Sequence, residues 1–105
     1  PVAFYELMTT TSFTGPSYRN YGRLMVERRF DEAAFTLRLG LKDIELALAA
    51  GGETQVPLPM AGAMRELHLG ALNAGYGDKD WASLADYLAA RAGLQAEQGD
   101  AHALP

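Results

Sequence analysis

At 105 residues the chain is one domain by length, because two independent cores would each be too small to bury enough apolar surface. Apolar residues at 49% and charged residues at 21% give the composition of a packed globular protein rather than a disordered or fibrous one. A formal charge of −4 and the absence of Cys argue against nucleic acid as a partner and remove disulfides, zinc ribbons, iron–sulfur clusters and thiol nucleophiles together.

Two histidines, His68 and His102, leave little for metal chemistry, and no metal site is expected. No stretch approaches the roughly 18 to 20 continuous apolar residues that span a bilayer, and no basic segment followed by an apolar core opens the chain. The expectation is a soluble, cytoplasmic protein with no membrane contact. Pro1 leads straight into an apolar-periodic segment with neither Met nor a cap, which predicts a piece of a longer chain.

Phe4, Leu7 and Met8 sit at helical spacing, and Thr9-Thr10-Thr11-Ser12 ends that first helix with residues that favour turns and caps. Thr14-Gly15-Pro16-Ser17 is a loop and helix start, after which Tyr18, Tyr21, Leu24 and Met25 carry a second helix to about Arg29. A third helix is expected from about Phe35 to Ala49, stopped by left-handed conformations at Gly51-Gly52. Val56-Pro57-Leu58-Pro59 is an extended entry to a fourth helix, with Met60, Met64, Leu67 and Ala71 as its apolar repeat and Asn73-Ala74-Gly75 as its end. Asp80 is placed to cap a fifth helix in which Trp81, Leu84, Ala85 and Leu88 face inward.

No segment alternates cleanly as a strand, so the fold class is all-α, a five-helix bundle over residues 1–91 followed by a mobile tail at 92–105. The expected core comprises Leu24, Leu37, Leu41, Ile44, Leu48, Met64, Leu67, Trp81, Leu84 and Leu88.

Few motifs carry chemistry. Gly75-Tyr76-Gly77 follows a helix and lacks the spacing of a phosphate-binding loop, so it reads as a helix-to-helix turn. Asp78-Lys79-Asp80 begins like a calcium loop, but Ser83 and Ala89 stand where that loop needs Gly and Glu. Ser83, His68 and Asp86 form a hydrolase trio only on paper, since no nucleophile-elbow pattern accompanies them. Tyr18 to Arg23 interleaves aromatics with cations as single-strand binders do, yet the tyrosines also fit a buried helical stripe with a solvated basic face.

The third helix stands apart. On a wheel Leu37, Leu41, Ile44 and Leu48 form one ridge, and Leu39 and Leu46 form a second nearly opposite, with Lys42 and Asp43 flanking it. Such a helix belongs in the middle of a bundle or between a domain and a partner. Gly40, unfavourable in a helix interior, points to close approach of another backbone. Read from the residues alone, Lys42 can simply reach solvent and Asp43 find a local partner, or the pair can mark a site, because burying either charge unpaired is expensive.

The stretch from Phe30-Asp31 to Phe35 and on through Leu41-Lys42-Asp43-Ile44-Glu45-Leu46-Ala47-Leu48 resembles the F-x-P-x-F-x-L-x-L-x-x-K-D-L-x-L-A segment of the β-hydroxyacid dehydrogenases, such as 3-hydroxyisobutyrate dehydrogenase and tartronate semialdehyde reductase. Val56-Pro57-Leu58-Pro59 and Gly75-Tyr76-Gly77-Asp78-Lys79-Asp80-Trp81 are similar to that family's next helix entry and its G-x-G-D-x-D-aromatic turn. The resemblance covers residues 1 to about 91.

It implies the C-terminal all-α domain, of the 6-phosphogluconate dehydrogenase C-terminal-like type, that packs on an N-terminal Rossmann domain in an NAD- or NADP-dependent enzyme acting on a small β-hydroxyacid. It further implies Lys42 as the cofactor contact, Asp43 as the acid at the active-site edge and Phe35 as an aromatic lining the substrate pocket. The family's acid/base lysine and its Gly-rich dinucleotide motif have no counterpart, so no catalytic residue is assigned here and the chain alone is expected to be inactive. The Rossmann domain of the parent chain, a second copy in a homo-oligomer such as a dimer, and a small-molecule substrate are the implied partners. Two alternatives stay open: the same domain of an imine reductase, and a stand-alone interaction module that binds a protein through Leu39 and Leu46.

Overall fold

The computed structural model describes residues 1–94, and most of the expected tail, with His102, lies outside the described residues. Helix α1 runs from Val2 to Thr10. Its end is written in the threonine run: Thr9, Thr10 and Thr11 donate their hydroxyls to the carbonyls of Tyr5, Glu6 and Leu7 at 2.8, 2.6 and 2.6 Å, competing locally with further helix. Helix α2 spans Pro16–Glu27, two residues shorter than expected, because Arg28 turns left-handed (φ 53°) and the Arg29 N–H closes on the Leu24 carbonyl at 3.1 Å. Tyr5 fixes the α1–α2 hairpin. Its hydroxyl donates to the Arg19 carbonyl at 3.0 Å, and its ring lies where a Cβ on Gly22 would come within 2.9 Å.

Helix α3 is Leu37–Thr54 and corrects the expected boundary. It passes through Gly51 and Gly52 and stops at Gln55, which takes the left-handed conformation (φ 57°) while the Val56 N–H bonds the Gly51 carbonyl at 2.9 Å. Gly51 serves packing rather than conformation. A Cβ there would meet Leu58 Cδ1 at 2.7 Å and the Val56 carbonyl at 2.9 Å, so its bare backbone lets the chain fold back into α4, Pro59–Ala71.

A π-helical turn, Leu72–Tyr76, kinks at Gly75 with φ 96°, as the Asn73-Ala74-Gly75 signal requires. A 3₁₀ turn, Trp81–Ser83, then leads into α5, Leu84–Arg91. Among the described residues there is no strand, only an isolated bridge between Thr36 and Asp80. None of the helices there is long and apolar enough to cross a membrane.

The core is small and centres on the start of α3. Phe30, Leu37, Leu41, Ala71 and Ala82 are buried. Of the expected core residues, Leu24, Ile44, Leu48, Leu67 and Leu84 are half-buried, whereas Met64, Trp81 and Leu88 are corrected to exposed, at 36%, 36% and 41%. Helical spacing gives a stripe but not how far a neighbour covers it. Phe30 and Ala82, outside any long apolar repeat, close the core instead.

Candidate functional site

The two ridges of α3 separate cleanly. Leu37 and Leu41 are buried against the bundle, while Leu39 and Leu46 stand 45% and 59% exposed. Lys42 and Asp43 are exposed beside them, and neither makes a hydrogen bond or ion pair among the described residues. The face therefore presents an apolar ridge with one unpaired cation and one unpaired anion. Adjacent helical positions point about 100° apart, which keeps the two charges from pairing with each other.

The first turn of α3 is held by the loop before α5. Helix N-termini leave backbone N–H groups unpaired, and here each finds an acceptor. Leu37 N–H bonds the Lys79 carbonyl at 2.9 Å, Arg38 N–H the Gly77 carbonyl at 3.0 Å, and Leu39 N–H the Thr36 hydroxyl at 3.2 Å. In return the Asp80 N–H reaches the Phe30 carbonyl at 2.7 Å and Trp81 N–H the Phe35 carbonyl at 2.9 Å. Asp80, 1% exposed, accepts the Ala82 N–H at 2.9 Å through Oδ1, so its capping role holds, on a 3₁₀ turn. A Cβ on Gly77 would lie 2.6 Å from Leu72 Cδ1 and 2.8 Å from Arg38 Nη2, so those side-chain ends pack directly on its bare backbone. The G-x-G-D-x-D turn is thus the clamp that sets where α3 begins.

Phe35, half-buried on the segment entering α3, meets Trp81 edge to face at 5.7 Å, and Trp81 meets Tyr21 likewise at 5.1 Å. Behind Phe35 lies His68. Gly40 faces the His68 imidazole and the Phe35 ring at ordinary contact distances of 3.5 to 3.6 Å from an added Cβ, so side chains, rather than the expected backbone, approach it. His68 is fully buried at 1% exposure, its Nδ1 2.8 Å from the Met64 carbonyl and its Nε2 without a partner among the described residues. Its place directly after Leu67 in the α4 repeat is the one signal that could have found it. Ser83 Oγ is buried and unpartnered too. The paper trio does not assemble: Asp86 bonds Arg28 at 2.7 Å, and His68 turns its Nδ1 to its own helix.

Charge pairs rim the clamp. Lys79 bonds Asp31 at 2.7 Å and Arg38 lies 3.6 Å from Asp78; the hydrogen bond to Asp31 holds the Lys79 ammonium above its usual pKa. Two concavities, each about 280 Å³, lie elsewhere: an apolar one between α1 and α2 around Phe4, Met8, Phe13 and Met25, and one around Arg28, Phe30 and Glu32. Lys42 and Asp43 line neither. No cluster of metal-ligating side chains occurs among the described residues.

Residues 1–88 match the sequence pattern of a family described as NAD-binding of NADP-dependent 3-hydroxyisobutyrate dehydrogenase, which makes NAD(P) the cofactor class. An uncharacterised oxidoreductase of Bacillus subtilis is 43% identical over 72 residues, 69% of this chain and 25% of that protein. A 3-sulfolactaldehyde reductase of Escherichia coli is 34% identical over 64 residues, 61% of this chain and 22% of that protein. A glyoxylate/succinic semialdehyde reductase of Arabidopsis thaliana is 32% identical over 79 residues, 75% of this chain and 27% of that protein. The chain spans about a quarter of the length of these curated relatives.

Proposed function

Because the chain belongs to the NADP-dependent 3-hydroxyisobutyrate dehydrogenase family, we propose that it is the C-terminal helical domain of an NAD(P)-dependent oxidoreductase. The substrate class is a small β-hydroxyacid or its aldehyde, such as the aldehydes named for its relatives. The exposed α3 face of Leu39, Lys42, Asp43 and Leu46 carries the reading. A dinucleotide-binding half of Rossmann type needs a parallel sheet and a Gly-rich turn. The described residues hold neither, which favours the helical domain that packs against such a half.

The donor set fits the cofactor. Lys42 offers an ammonium with three donors and no protein partner among the described residues, suited to ribose or carboxamide oxygens and to charge near a phosphate. When bound, NAD(P) supplies or accepts the hydride. The chain's own residues do the rest: Leu39 and Leu46 exclude water from the covered face, Asp43 sits at the active-site edge, and Phe35 forms an aromatic wall for substrate. Without the dinucleotide-binding part and the family's acid/base lysine the domain is catalytically silent. Its partners are that Rossmann part and a second copy of the enzyme.

The test is steady-state kinetics of the complete oxidoreductase. Lys42→Ala raises the cofactor KM about 10- to 150-fold, the equivalent of losing one charged hydrogen bond, while Asp43→Ala acts mainly on kcat. Unchanged cofactor KM and kcat in both variants would remove both residues from the site. Turnover of an imine in preference to an aldehyde would move the enzyme to the imine reductases.

A further inference from the structure

We infer that His68 is a positioning residue for the Phe35 side of this site, acting through Gly40. The inference rests on the proposed function, since it assigns His68 a part in placing a substrate-pocket wall. His68 Nδ1 lies 2.8 Å from the Met64 carbonyl. A carbonyl only accepts, so Nδ1 carries a proton and donates it. This bond to its own helix pins the ring, and the pinned edge, Nε2 and Cδ2, faces Gly40. Phe35 Cε1 approaches the same position, so the imidazole and the phenyl ring both border one residue of α3 that carries no side chain.

Phe35 thus has two neighbours that fix its place, the Trp81 ring it meets edge to face and the Gly40 position that His68 also borders. Packing alone does not call for a histidine at this position. A Leu or Phe would fill the space without leaving Nε2 fully buried with no partner among the described residues, an arrangement that weakens a core. An apolar side chain would lack the carbonyl bond that holds the ring in one orientation. Departures of this kind from a fully satisfied core gather where placement matters more than stability.

Trp81, the single tryptophan, reports the arrangement without turnover because it meets Phe35 edge to face. In this chain His68→Phe should keep the helical circular dichroism but shift the Trp81 emission. His68→Asn, whose amide can still donate to the Met64 carbonyl, should return the emission toward native; His68→Leu replaces His68→Phe if the latter does not fold. In the complete enzyme, with NADPH and either glyoxylate or succinic semialdehyde, His68→Phe should raise the substrate KM about fivefold or more. It should leave the cofactor KM within about twofold, and His68→Asn should recover most of the loss.

Phe35→Ala separates the two layers of the argument. If Phe35→Ala raises the substrate KM while a folded His68→Phe changes neither emission nor KM, the positioning role is overturned and the site reading stands. If Phe35→Ala has no effect, or the native enzyme turns over neither aldehyde, the site reading fails and this inference with it.

Discussion

Truncating Leu37 tests the claim that α3 has one working ridge on the bundle side and one bare ridge opposite. Its side chain is fully buried at 0% exposure, at the point where the α3 N-terminus meets the loop before α5. Leu37→Ala removes three carbons, worth about 2.4 kcal/mol in transfer free energy at ~0.8 kcal/mol each. The cavity left behind brings the loss to about 3 to 5 kcal/mol, the upper part of the range for buried leucines. The backbone N–H bond to the Lys79 carbonyl survives the change, so the effect reports side-chain packing alone. Leu39→Ala deletes the same atoms from the opposite ridge, where 45% of the residue is already in water, and should cost about 1 kcal/mol or less. Urea unfolding followed by circular dichroism gives both values, with slopes of about 1 kcal/mol/M for a chain of this size. Equal losses for the two variants, or a near-zero loss for Leu37→Ala, would refute the assignment of the ridges.

Gly40→Ala should stabilise the chain by up to about 1 kcal/mol, because helix propensity improves and the new Cβ has ordinary contact room; a thermal melt with a lower midpoint would contradict this. Gly51→Ala should do the opposite in the same assay, since its Cβ would meet the Val56 backbone carbonyl at 2.9 Å and Leu58 Cδ1 at 2.7 Å. Gln55→Gly, at the left-handed end of α3, should raise stability by a few tenths to about 1 kcal/mol. The Lys79–Asp31 pair gives an alkaline signature. The Lys79 pKa is raised in the folded state by its bond to Asp31, so its contribution is present below the unfolded value of about 10.4 and is lost as pH rises through the folded one. Exposure keeps that contribution small. The stability gap between native and Lys79→Met should therefore narrow above about pH 11, and a gap that widens would sink the argument.

That the protein is helical, how many long helices it has and which face of α3 points into the bundle are all legible in the amino-acid sequence. Those features follow from 3.6-residue periodicity, from Pro at helix starts and from the capping position of Asp80, all local in the chain. The sequence also singled out Lys42 and Asp43, because charges beside an apolar ridge stand out without any knowledge of neighbours. Tertiary structure alone decided where α3 ends, since Gly51 is used for close packing on Leu58 and the left-handed stop falls to Gln55. It also decided which half-apolar residues are covered, leaving Trp81, Met64 and Leu88 exposed and closing the core with Phe30 and Ala82. Burial depends on what the rest of the chain brings against a side chain, and no periodicity records that. His68 shows the same limit. Its neighbours around Gly40 come from residues about 28 to 33 positions earlier in the chain, so beyond its place after Leu67 nothing local in α4 announces that a polar ring will be enclosed there.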